Sequence, residues 1–160
     1  MKTYVITLSK VFPATHPRKG EPTGFRDKFL AAIKQLEGEW WKLHTIRANY
    51  TLWAKRIAEV QRGEAVLSVR QWSGVPYCSK QIEIARLTKD DGVGIQKLEL
   101  ELADKMFRAY HPRIDEGKSY TSLAQLANND GLSLGDWAWW FRNYDHSKYL
   151  AIIHFTSFRY

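Results

Sequence analysis

At residue 65 the apolar period of this chain changes from helical to two. Before that point Phe25, Phe29, Ile33 and Leu36, and then Leu52, Trp53, Ile57 and Val60, recur at helical spacing. After it, residues 65–71, 80–87 and 96–102 read as strands. The clearest alternation is Lys97-Leu98-Glu99-Leu100-Glu101-Leu102, which predicts leucines inward and charges outward. A β-rich opening at 4–12 and a closing run at 149–155 bring the expected strands to about five. Turn signals at 73–76 and 90–94 leave short connections, which favour antiparallel neighbours. The expected fold class is α+β: a small, mostly antiparallel β-barrel with inserted helices, closed because closure removes exposed edges.

The remaining segments fit around that sheet. Pro13, Pro17, Gly20, Pro22 and Gly24 break the chain into a loop made basic by Arg18, Lys19 and Arg26. A helix follows over about 25–36. Asn49 is a suitable N-cap for the next one, and Gly63 stops it. Residues 105–118 read as a mixed, basic loop. Ser122 with Gln125 forms a capping-box pattern, Asn128-Asn129-Asp130-Gly131 breaks that helix, and Ser133 caps another. Trp137, Trp140 and Phe141 share a face of this last helix and are expected in the core. No internal repeat or second domain is visible, so residues 1–160 read as one domain.

Charge and aromatic content narrow the partner. Twenty-four Lys and Arg against seventeen Asp and Glu give a formal charge of +7, and the chain carries seven Trp, eight Tyr and seven Phe. A basic, aromatic surface suits a polyanion that bears bases, RNA or DNA. Cys78 is the only cysteine, so no intrachain disulfide forms. No apolar run approaches membrane-spanning length and the first residues lack a secretory pattern. A cytoplasmic protein without a membrane partner is expected. The five histidines lack compact ligand spacing, so neither a metal site nor a cofactor is expected.

One stretch concentrates chemistry: Glu39-Trp40-Trp41-Lys42-Leu43-His44-Thr45-Ile46-Arg47. It sits on a connection between two helical patterns and carries two indoles, an ammonium, an imidazole, a hydroxyl and a guanidinium. Such groups stack on planar rings, pair with phosphate and move protons. Alternation would send one of Trp40 and Trp41 into the core and leave the other as a stacking platform. On the next helix Lys55, Arg56 and Arg62 form either a solvated face or a nucleic-acid track.

Lys42-x-x-Thr45-Ile46-Arg47, placed after the first strand and helix, resembles the signature of the ASCH domain of the PUA-like β-barrel superfamily. Gly63-Glu64 before a strand, and Asp130-Gly131-Leu132 before an aromatic helix and a last strand, extend the resemblance across most of the chain. It implies a PUA-like barrel that binds RNA or modified nucleosides and nucleotides; the aromatic and basic residues Trp41, His44, Arg47, Lys55 and Arg56 are the expected ligand contacts. One enzyme type of the family deacylates acylated cytidine. By that resemblance Lys42 would activate Thr45 as nucleophile, and Asp130 would stand where the family has a Glu. A carboxylate at the start of a helix stays ionised, because the helix dipole favours the anion. On that reasoning base recognition is better supported than hydrolysis.

Overall fold

The computed structural model of the chain describes residues 1–104 and 109–160, with the backbone alone at 102–104 and 109–110. In chain order the elements are β1 (Lys2–Thr7), α1 (Phe25–Lys34), β2 (His44–Arg47), α2 (Tyr50–Gln61), β3 (Ala65–Trp72), β4 (Gln81–Leu87), β5 (Gly94–Asp104), β6 (Ala109–Ile114), β7 (Ser119–Tyr120), α3 (Leu123–Asn129), α4 (Leu134–Phe141) and β8 (Leu150–His154). The class is α+β, with four α-helices and two mostly antiparallel sheets among the described residues.

The strands divide into two sheets, ordered β1-β3-β4 and β2-β8-β5-β6-β7, and no closed barrel is formed among the described residues. β1 lies parallel to β3, from Lys2 opposite Ala65 to Thr7 opposite Arg70. This is the one parallel pair among the described residues. The antiparallel pairing expected between 65–71 and 80–87 is present as β3 and β4. The expectation that 80–87 would go on to pair with 96–102 is corrected. A 3-10 turn at Lys89–Asp91, capped by the Thr88 and Asp91 side chains, redirects the chain into the other sheet.

Three further boundaries differ. The first strand ends at Thr7 instead of running to Phe12, and Val11 forms only an isolated bridge with Pro22. The chain leaves the sheet there to form the proline-rich loop. Of the basic loop expected over 105–118, residues 105–108 lie outside the described ones, while 109–114 and 119–120 are strands. Strand β6 contains Pro112, which supplies no N–H to a ladder and so masks a strand in sequence. The stretch expected on a connection also contains a strand. His44–Arg47 pairs with β8, Thr45 opposite Ile153 and Arg47 opposite Ala151. Its four side chains are all largely buried, so it shows no alternation.

Apolar faces join the layers. Leu98 and Leu100 of β5 are buried as expected, together with Ile57 and Val60 of α2, Phe25 and Phe29 of α1, and Ile152 and Ile153 of β8. Helix α2 packs on β3, β5 and β8, bridging the two sheets. Asn49 caps it by accepting from the Leu52 N–H at 3.2 Å. Ser122 and Ser133 cap α3 and α4 in the same way. Gln125 does not close the capping box; its side chain donates to Asn129 Oδ1 instead. The α3–α4 turn is thereby held against β2, and the candidate site lies there.

Candidate functional site

Three backbone bonds fix the approach to β2 against α1, the α3–α4 turn and the end of β8. The Lys42 N–H donates to Lys28 O (3.0 Å), the Leu43 N–H to Asn129 O (2.8 Å), and the Phe155 N–H to Leu43 O (3.1 Å). So placed, the Lys42 side chain runs inward and is 1% exposed. Its ammonium donates to both the main-chain O and the Oδ1 of Asp130, each at 2.6 Å, and lies 4.2 Å from the Phe25 ring centroid. Burial pushes Lys42 below the usual ammonium range, against the attraction of Asp130 and with some help from Arg47. Burial pushes Asp130 up, against the Lys42 and Arg47 charges. The two shifts share a cause: each ion has left water and has mainly the other as its compensation.

Asp130 is not at a helix start. It is the C-cap of α3, where the dipole disfavours an anion, so the expected helix stabilisation is corrected. Lys42 supplies the compensating charge. The Trp137 indole N–H also favours the carboxylate anion, although it falls short of hydrogen-bond geometry. Gly131 follows at φ +81°, and a Cβ there would lie 3.3 Å from Lys42 Cβ and 3.4 Å from Lys28 Cδ. The turn therefore needs glycine for both its conformation and the close approach of two lysines.

Lys42, Thr45, Arg47 and Asp130 line one opening together with Leu8, Ser9, Phe25 and Trp140. Arg47 is oriented by donating to Thr7 O at 2.5 Å. Thr45 forms no side-chain hydrogen bond among the described residues. The opening has a volume of about 20 Å³. That is room for a water and not for a base. Leu8 and Ser9 also line a groove of about 650 Å³ walled by Val11, Phe12, Trp72, Val75 and Tyr77. The Trp72 and Tyr77 rings lie 5.2 Å apart, and Tyr77 is 89% exposed.

His44 faces away from the opening. Its Nε2 lies 2.7 Å from the Tyr160 hydroxyl, which accepts from Asn129 Nδ2 at 2.9 Å. The other ring nitrogen of His44, Nδ1, lies 3.9 Å from Asp130 Oδ1. Burial, the His154 ring and the Lys42 charge hold His44 well below its ordinary range. His154 accompanies it at 5.5 Å between ring centroids and is pushed down to about 3 by burial and by Arg159. These groups brace Asn129 and Asp130 from behind.

The other expected contacts are dispersed. Neither Trp40 nor Trp41 enters the core: Trp40 is 40% exposed and donates to Asn128 O, while Trp41 is half-buried and donates to Leu36 O. Both sit on an irregular segment, so strand alternation does not govern them. Lys55 is exposed on α2, Arg56 lies over the Trp53 and Tyr4 rings, and Arg62 pairs with Glu64. None of the three lines the Lys42 opening. Trp140 does, which corrects its assignment to the core alone. The sequence signal that could have found it was its place one helical turn from Trp137 and close after Asp130. Leu8, Ser9 and Phe25 carry no chemical signal and reach the opening only through the fold. In comparisons with family models, curated proteins and solved structures, nothing matches this chain.

Proposed function

We propose that the protein binds RNA or a modified nucleoside or nucleotide, reading the base beside the Lys42–Asp130 pair. On this reading the two sheets are the halves of an ASCH-type, PUA-like barrel, and the setting is cytoplasmic. One observation carries the reading: Lys42, Thr45, Arg47 and Asp130 line a single opening that shares Leu8 and Ser9 with an aromatic groove. A planar base fits the groove against Trp72 and Tyr77, with its polar edge toward Ser9 and the ion pair. Through a water in the opening, Asp130 offers an acceptor to an exocyclic amino group and Arg47 offers donors to a ring carbonyl.

Binding is favoured over deacylation by the hydrogen bonds of Lys42. Two of its donors go to Asp130 and none reaches Thr45 among the described residues. A threonine hydroxyl without a base within reach is a weak nucleophile. Calorimetric titration with cytidine, N4-acetylcytidine and a short single-stranded RNA tests the proposal. Tyr77→Ala, at an exposed position, should weaken binding by about fivefold or more through lost stacking. Affinity for none of the three ligands, or affinity indifferent to both Tyr77→Ala and Asp130→Asn, would exclude this site.

A further inference from the structure

On the other side of the Asn129–Leu132 turn lies a second pocket of about 190 Å³, bounded by Phe12, Arg18, Thr23, Lys28, Trp40 and Ser133. It shares Leu132 with the Lys42 opening. Two lysines grip the turn that divides them, Lys42 at Asp130 O and Lys28 at Gly131 O (2.8 Å).

Lys28 differs from the other cations here. Arg18 is held by Glu21 at 2.5 Å and by Asp136 at 2.6 Å, and Lys42 by Asp130. Lys28 donates only to carbonyls, Gly131 O and Thr23 O (3.1 Å), and forms no ion pair among the described residues. Two of its three N–H donors go to those carbonyls, and its Nζ also lies 3.8 Å from the Trp40 ring centroid. Burial pushes Lys28 below its ordinary range, the Lys42 and Arg18 charges add to that, and Asp136 opposes them least. Asp136 also lines the pocket, but its Oδ2 is taken by Arg18 and its Oδ1 lies 3.7 Å from His16 Nε2. The electron-rich faces of Trp40 and Phe12, which would repel an anion, are covered by Lys28 at 3.8 Å and Arg18 at 4.7 Å. A pocket of about 190 Å³ has room for a compact oxyanion with its waters, and an ammonium with no carboxylate partner among the described residues can give such an anion a charge-assisted hydrogen bond.

We propose that this pocket takes a phosphate of the nucleotide whose base lies in the aromatic groove beside the Lys42–Asp130 opening. The proposal rests on the base-binding reading above, and the two can be separated. Binding of cytidine, cytidine 5′-monophosphate and inorganic phosphate is measured by calorimetry, with the Trp40 indole N–H followed by NMR. In the unaltered protein the monophosphate should bind about tenfold or more tightly than the nucleoside. That advantage should fall to about threefold or less in Lys28→Gln. Inorganic phosphate at millimolar concentration should shift the Trp40 resonance in the unaltered protein and not in Lys28→Gln. Should Lys28→Gln fail to fold, Arg18→Gln, at a half-exposed side chain, carries the same comparison. A dinucleotide run alongside tells a backbone diester from a terminal monoester, and tighter binding of either supports the site. Equal affinity for nucleoside and monophosphate, with no response to inorganic phosphate, overturns the phosphate site and leaves base binding standing. A phosphate response that depends on Lys28, without any nucleoside binding, does the reverse.

Discussion

At the scale of single residues, the chemistry of the opening turns on what Thr45 does. Its hydroxyl lines the cavity but has no hydrogen-bonding base among the described residues, since Lys42 is committed to Asp130. In a binding site Thr45 contributes at most one hydrogen bond, worth about 0.5–1.5 kcal/mol. Thr45→Ala should therefore weaken cytidine binding by roughly tenfold or less. If Thr45 were a nucleophile, the same change would remove hydrolysis of N4-acetylcytidine by several orders of magnitude. We expect binding without efficient turnover. Acetate release by the unaltered protein that disappears in Thr45→Ala would establish the deacylase instead.

At the scale of elements, the α3–α4 turn and the β2–β8 pair determine whether the site exists. Gly131→Ala places a Cβ at φ +81°, against Lys42 and Lys28. It should destabilise the fold by about 1–3 kcal/mol, read from the urea midpoint. Unchanged stability would mean that the turn is loose. The β2–β8 pair adds a pH dependence. His44 and His154 are both held below 6.5, His154 at about 3, so each is neutral when folded and gains a proton on unfolding in mild acid. Their contribution to stability is complete above pH 6.5 and is lost as pH falls toward the folded values. The slope is about 1.4 kcal/mol per pH unit for each histidine. Asp130, pushed upward, contributes with the opposite sign. Denaturation at pH 7 and pH 5 of the unaltered protein and of His154→Gln isolates the histidine term. The variant should lose less stability on acidification; an equal loss would mean that His154 is not buried in its neutral form.

At the scale of the whole molecule, a charge of +7 acts on any polyanion that approaches. If RNA is the ligand, its affinity should fall steeply with salt, by about 0.7 in log–log slope for each phosphate contact. Lys55 and Arg56 on α2 and Arg62 at its C-cap lie apart from the opening, so they serve only a strand that extends beyond the base site. Replacing all three with Gln should flatten the slope by up to about two. A slope that the triple variant leaves untouched would return these charges to solvation of a helix face. The packing that holds such a surface in place also links distant segments. α2 bridges the two sheets, and the site draws on β1, α1, β2, the α3–α4 turn and α4.

The sequence by itself determined what is local. The change of period at residue 65, the capping residues Asn49, Ser122 and Ser133, and the inward leucines of β5 all follow from neighbouring side chains competing for water and backbone. It also gathered Lys42, Thr45, Arg47 and Asp130 as a group of interest. What it could not contain was the non-local part. The strand at 44–47 is buried on both faces and leaves no period to detect. The strand at 109–114 is masked by Pro112. Asp130 became a C-cap, because only the packed turn decides which helix a boundary residue serves. Lys28 entered the site through a hydrogen bond to Gly131, 103 residues away. Only the tertiary structure decided that two lysines would meet at one glycine, one of them paired with a carboxylate and the other, among the described residues, left without.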